Sequence, residues 1–200
     1  AVGMFHVAEH GGRLVQLVHN SKRNITFMHK RVRYTFDPNR MFSDAGIEAT
    51  LKAQGKTYSV DAHALVAKFA RTVLEHVGKG LTKQRPVVAL HNNSDGKYSL
   101  ESYQPGGEYA KEAKAVYQSP RMDADDFFFV TTEELFRAFK ERGLNTVLQN
   151  NEGVTDDGSL SVRANLMGVP YVNVEAQEDG AVGHDTVQAT MLRILQKVAQ

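Results

Sequence analysis

Pro86-Val87-Val88-Ala89-Leu90-His91-Asn92-Asn93 is an apolar run that turns polar in a single step. A short aliphatic run of this kind reads as a strand buried on both faces, and the change at His91 reads as its carboxyl end opening into a polar loop. Other segments repeat the arrangement. Asp126 to Val130 reads as a buried strand, Glu133 to Arg142 as a helix closed by Gly143, and Asn145 to Leu148 as the next short strand. Tyr171 to Val174 reads as a strand ending at Glu175, and Val187 to Val198 as an amphipathic helix. Strands alternating with helices predict an α/β fold, with a mixed, largely parallel sheet covered by helices on both faces.

Working outward, Ala1 to Glu9 reads as an apolar helix stopped by Gly11-Gly12. Arg13 to His19, Ile25 to Phe27 and Val32 to Phe36 have strand-like alternation. Asp37-Pro38-Asn39-Arg40 breaks it, because proline pushes its predecessor out of helical geometry and Asn and Asp favour turns. An irregular loop is expected there. Leu65, Val66, Phe69, Val73, Leu74 and Val77 recur near a 3.6-residue period, which predicts a helix over Val60 to Val77 ending near Gly78 and Gly80. A further helix is expected over Glu108 to Tyr117. Asp156-Asp157-Gly158 reads as a turn before a short strand over Ser159 to Val162.

The chain has 200 residues, 42% of them hydrophobic, and no composition break, so residues 1–200 read as a single α/β domain. Lys and Arg total 24 against 23 Asp and Glu, a net charge of +1 that gives no general electrostatic attraction to nucleic acid or an anionic membrane. With no cysteine, disulfides, thiolate zinc sites and cysteine nucleophiles are excluded, and a metal would be held by His, Asp or Glu. No apolar run approaches the ~18 residues of a membrane span, so membrane insertion is not expected. The first helix has no capping residue ahead of it, and the sequence starts at Ala1 rather than methionine; an upstream segment is therefore expected.

Ligands of open α/β sheets bind outside the carboxyl ends of the strands, which singles out His91 and Glu175. A neutral imidazole suits zinc and a carboxylate can act as general base, so the pair is coherent chemistry if the two strand ends converge. The plainer alternative is a hydrogen-bonded loop histidine and a solvated strand terminus. His6-Val7-Ala8-Glu9-His10 matches the H-x-x-E-H pattern of inverted zincins, with His6 and His10 on one helix face, but Gly11-Gly12 ends the helix directly behind it. Asn39-Arg40 offers an amide beside a donor fork that matches a carboxylate bidentately, against the alternative of a surface arginine beside a turn. His184 either lines a site or caps the last helix. His19, His29, His63 and His76 read as structural, and Asp125-Asp126 and Asp156-Asp157 as turn-forming. Phosphate-loop, dinucleotide and serine-nucleophile motifs are absent from the sequence, which leaves metal hydrolysis among the catalytic classes.

Asp37-Pro38-Asn39-Arg40-Met41-Phe42, Leu90-His91-Asn92-Asn93 and Val172-Asn173-Val174-Glu175, in that order, resemble the zinc carboxypeptidase superfamily, especially its aspartoacylase and succinylglutamate desuccinylase branch. The resemblance implies a zinc cofactor with His91 as the third ligand, Asn39 and Arg40 binding the substrate, and Glu175 as general base and proton shuttle. It implies hydrolysis of an amide bond in a carboxylate-bearing substrate, a peptide or an N-acyl amino acid. The superfamily's H-x-x-E ligand pair precedes the Asn-Arg loop on a strand ahead of the first helix, and is expected just ahead of Ala1. His6-Val7-Ala8-Glu9 has those letters but lies inside the helix. Two other functions compete: a non-catalytic domain binding a peptide or carboxylate without metal, and an inverzincin-type metallopeptidase using His6, Glu9 and His10.

Overall fold

The computed structural model describes residues 2–19, 22–79, 85–94, 96, 98–178 and 186–198. In chain order the elements are α1 (Val2–His10), β1 (Ile25–His29), β2 (Val32–Phe36), α2 (Asp44–Gly55), α3 (Val60–Gly78), β3 (Val87–Asn93), β4 (Ala113–Tyr117), β5 (Phe127–Val130), α4 (Glu133–Glu141), β6 (Thr146–Gln149), α5 (Leu160–Leu166), β7 (Tyr171–Gln177) and α6 (Val187–Val198). They belong to two compact units, one of residues 1–14, 82–154 and 168–200, the other of residues 15–81 and 155–167. Among the described residues no helix is long and apolar enough to cross a membrane.

The first unit is built on a five-stranded sheet of order β3-β7-β5-β6-β4. It is α/β and mixed, but evenly so rather than largely parallel: β3 and β7, and β5 and β6, run parallel, whereas β5 and β7, and β4 and β6, are antiparallel. Side chains alternate across a strand, so each register pair shares a face. Phe128, Val130, Leu148, Val172, Val174 and Ala176 form one core with Leu135 and Phe139 of α4 and Met191, Leu192 and Leu195 of α6, and Val2 of α1 packs against it. The Phe128 and Phe139 rings stack at 4.3 Å. On the opposite face, Tyr98 lies 5.6 Å from Phe127 and Tyr103 lies 5.4 Å from Phe129, ring centre to ring centre. The expected helices on both faces are therefore, among this unit's described residues, helices on one face and tyrosines on the other.

Capping and periodicity explain the helices that the sequence announced. Thr132 accepts a hydrogen bond from Leu135 N, Glu133 and Glu134 occupy the positive first turn of α4, and Lys140 its last. Two segments of this unit depart from expectation. Glu108 to Tyr117, rich in Ala, Lys and Glu, was expected to be helical; it makes a 3-10 turn over Ala110–Glu112 and then β4, because pairing with β6 supplies the backbone partners and burial that an exposed helix lacks. His91-Asn92-Asn93, expected to be loop, continues β3, since β7 runs alongside as far as Gln177.

In the second unit, β1 and β2 form a hairpin whose two-residue turn places Lys30 and Arg31 at φ 47° and 65°, the left-handed geometry that such turns demand. Tyr34, Phe36, Met41, Ile47, Leu51, Ala62, Val66, Ala70 and Val73 form its core. Ser59 caps α3 and Ser43 caps α2, a helix for which the sequence reading assigned no element. The strand expected over Arg13 to His19 is absent from the described residues 13–19, where Val18 is 85% exposed and no neighbouring strand supplies partners. Ser159 to Val162, expected as a strand, begins α5 instead, with Ser159 accepting from Val162 N as its N-cap.

Candidate functional site

On β7, Asn173 and Glu175 point to the face opposite Val172 and Val174, and the parallel register sets His91 of β3 beside Glu175. His91 Nδ1 lies 3.2 Å from Glu175 Oε1, and Asn173 Nδ2 donates to the same oxygen at 2.9 Å. Against a carboxylate acceptor, Nδ1 of His91 is the donor, which leaves Nε2 outside this hydrogen bond. Glu175 is 4% exposed, whereas the His91 side chain keeps 34% of its surface, so the pair opens to solvent on the imidazole side. A buried carboxylate is tolerated only where donors replace its water, and Asn173 and His91 are those donors.

The surroundings are polar in an unusual way for a sheet core. Tyr98 and Tyr103 share a hydrogen bond between their hydroxyls. Burial pushes both phenols well above the ordinary value; neighbouring Tyr103 and the Glu175 charge add to the effect on Tyr98, and the charges of Glu112 and Glu175 to that on Tyr103. Asn93 Nδ2 donates to the carbonyls of Tyr98 and Asp125 at 3.0 and 2.7 Å, which ties the tyrosine segment to the end of β3. In this unit Asn93 Oδ1, Gln149 Oε1 and Asn173 Oδ1 are buried without a hydrogen-bond partner among the described residues. Such acceptors are normally met by an O–H or N–H donor, so Asn173 Oδ1 is a place for a water or a substrate donor next to Glu175. The sequence reading passed over Asn173 as part of a strand; its i, i+2 spacing to Glu175 between two valines was the signal.

Asn39 and Arg40 belong to the second unit, in a 3-10 turn capped by Asp37, whose Oδ1 accepts from Asn39 N at 2.9 Å. Their loop is clamped from outside: Phe42 N donates to Gly158 O at 2.9 Å, and a Cβ on Gly46 or Gly158 would collide with the Arg40 carbonyl. The Arg40 guanidinium is 44% exposed, with Nε 3.3 Å from Asp157 Oδ2. The acidic pairs act on the backbone, Asp156 and Asp157 within their own turn, as expected of turn formers, but Asp125 and Asp126 on segments remote in sequence. Asp125 Oδ2 accepts from Gly96 N, Asp126 Oδ1 from Gln177 N, Asp156 Oδ1 from Gly158 N and Asp157 Oδ1 from Ser159 N. His63 pairs with Asp44 and His76 with the Thr72 carbonyl, as structural histidines do. His184 lies outside the described residues.

In α1, the His6 and His10 rings lie one turn apart, tilted at 60° with centroids 4.8 Å apart, and His10 Nε2 is 3.7 Å from Glu9 Oε2. Burial first, and then the neighbouring His10 charge, lower the pKa of His6 below the ordinary 6.5. The helix ends directly after His10, as Gly11-Gly12 predicted.

Catalytic zinc takes three protein ligands. Among the described residues no group of three or more His, Cys, Asp or Glu is placed to hold one ion. His91 brings one nitrogen, and Glu175 Oε1 is already shared by two donors. The described residues therefore do not make a zinc site by themselves. No protein-family model matches the chain, and neither does any curated protein or solved structure.

Proposed function

We propose that the protein hydrolyses an amide bond in a carboxylate-bearing substrate, a short peptide or an N-acyl amino acid, with Glu175 as the general base. The observation that carries this reading is the buried Glu175 carboxylate, fixed by Asn173 and by the part-exposed His91 near the carboxyl end of β7. A carboxylate so held can take a proton from water and return it to the leaving amine, a contribution of about 10²- to 10⁴-fold in rate. The orphaned Asn173 Oδ1 supports it, as an acceptor suited to a water O–H beside that base. The resemblance adds zinc on His91, for which Nε2 is the nitrogen outside the Glu175 hydrogen bond, together with an H-x-x-E pair from outside the described residues. It also adds Asn39 and Arg40 as the groups that receive the substrate carboxylate; their part rests on the resemblance alone.

Glu175→Gln is the decisive variant. Against a panel of N-acyl amino acids and dipeptides, turnover should fall by about 100-fold or more with folding retained. Turnover equal to the parent's would remove the mechanism. Zinc content of protein purified without chelator, compared with His91→Ala, tests the metal separately. That the described residues hold no three-ligand group favours one second reading, a carboxylate-binding domain without catalysis. Metal-free native protein that binds an N-acyl amino acid and never turns it over, with binding weakened by Arg40→Ala, would establish that reading instead.

A further inference from the structure

His6 and His10 are one helical turn apart, so their side chains rise from the same face of α1, and their ring centroids are separated by 4.8 Å. An imidazole nitrogen binds a first-row divalent ion at about 2.0–2.1 Å, which sets each ring centroid about 3.2 Å from the metal; for angles at the metal between square and tetrahedral, the two centroids then stand about 4.5–5.2 Å apart. The observed separation falls inside that interval. The two rings also line one recess between α1 and α6, together with Phe5, Glu9 and Arg193.

We propose that His6 and His10 form a two-histidine chelate for a first-row divalent cation of the zinc, nickel and copper class, with its remaining coordination positions open to solvent. Imidazole is the ligand this class prefers over harder ions such as magnesium and calcium. The site has two protein ligands only, in keeping with the absence of a three-ligand group among the described residues. It is an open surface chelate, unlike an inverzincin centre, which needs a third protein ligand. Glu9 lies beside His10, where its charge favours a bound cation, whereas Arg193 opposes it. The chelate is independent of the His91–Glu175 pair and of the function proposed for it.

Zinc titrated calorimetrically into the full chain carrying His91→Ala isolates this site from any metal held at His91. One equivalent should bind, and either His6→Ala or His10→Ala added to that background should weaken it by about tenfold or more, one step of 1.4 kcal/mol in binding. The half-exposed positions of both rings make these variants compatible with folding, which unchanged circular dichroism checks. In the same protein, zinc should shift the imidazole nitrogen resonances of His6 and His10. Equal zinc binding in the parent background and in both histidine variants, or zinc shifts at other histidines with these two unmoved, would overturn the chelate.

Discussion

The two faces of the five-stranded sheet are made from the same strands, offset by one residue, yet they do different physical work. Val172, Val174 and Ala176 of β7 join Phe128, Val130 and Leu148 in a dry core under α4 and α6. Asn173 and Glu175, interleaved with them, carry a fixed carboxylate beside His91 under a layer of tyrosines. The helix face gains its free energy from apolar area and close packing; the other face spends desolvation energy on a charge and recovers it through two hydrogen bonds. Stability and chemistry are thus separable by parity along one strand, and substitutions on opposite faces should fail in opposite ways.

The largest expected effect falls on the dry face. Phe128 is fully buried and stacked on Phe139, so Phe128→Ala should lose about 3–5 kcal/mol of unfolding free energy in urea titrations, from lost transfer energy plus the cavity left behind. Whatever molecules remain folded should keep the Glu175 site. Glu175→Gln is the mirror image, with its effect in turnover. If Phe128→Ala abolished activity per folded molecule, or Glu175→Gln unfolded the protein, the division between the faces would be broken.

The parity of β7 was written in the sequence, and so was much of the fold. Val187 to Val198 and Glu133 to Arg142 have a strong helical period and clear ends, and the structure places helices there. The polar residues His91 and Glu175, set at the ends of apolar runs, were legible for the same reason, and they meet because β3 and β7 are register partners. What was illegible depends on partners remote in sequence. Ala113–Tyr117 has helix-forming composition, and only β6, some thirty residues later, makes it a strand. Arg13 to His19 alternates like a strand and finds no partner among the described residues. Asn173 read only as a strand position, because its value comes from hydrogen bonding to Glu175.

Asn173 sharpens the comparison at intermediate magnitude. Asn173→Ala removes one of the two donors to a buried carboxylate, which should lower stability by about 1–3 kcal/mol. Turnover should fall as well, because His91, left as the single donor, holds the carboxylate less firmly. Asn173→Asp would set a second carboxylate against Glu175 and should be worse than alanine on both measures. An alanine variant matching the parent in urea midpoint and turnover would show that Glu175 needs no second donor.

Alkaline pH tests the tyrosine layer over the same face. An unfolded phenol titrates near 10.0, whereas Tyr98 and Tyr103 are held above that value in the folded protein. Between the two values the native state keeps protons that the unfolded state has released, so the contribution to stability is complete below pH 10 and is lost as pH rises toward the folded values. Each phenol should remove up to about 1.4 kcal/mol per pH unit above that point. Urea midpoints measured from pH 9 upward should fall with this slope, and Tyr98→Phe should make it shallower. Ultraviolet titration of the folded protein should show Tyr98 and Tyr103 resisting ionisation. All tyrosines titrating together near 10 would remove the buried hydroxyl pair.

The smallest effect returns to the helix face. Thr132 caps α4 by accepting from Leu135 N at 3.4 Å, and the first turn that it secures carries Leu135 into the core with Phe139. Thr132→Ala should cost about 1 kcal/mol, the usual worth of such a cap, and Thr132→Ser should recover most of it because serine offers the same oxygen. Since α4 packs on the face that Glu175 does not share, turnover per folded molecule should be unchanged. A Thr132→Ala protein with altered substrate affinity or altered turnover would mean that the helix layer sets the position of β7, and that parity along the strand does not insulate chemistry from packing.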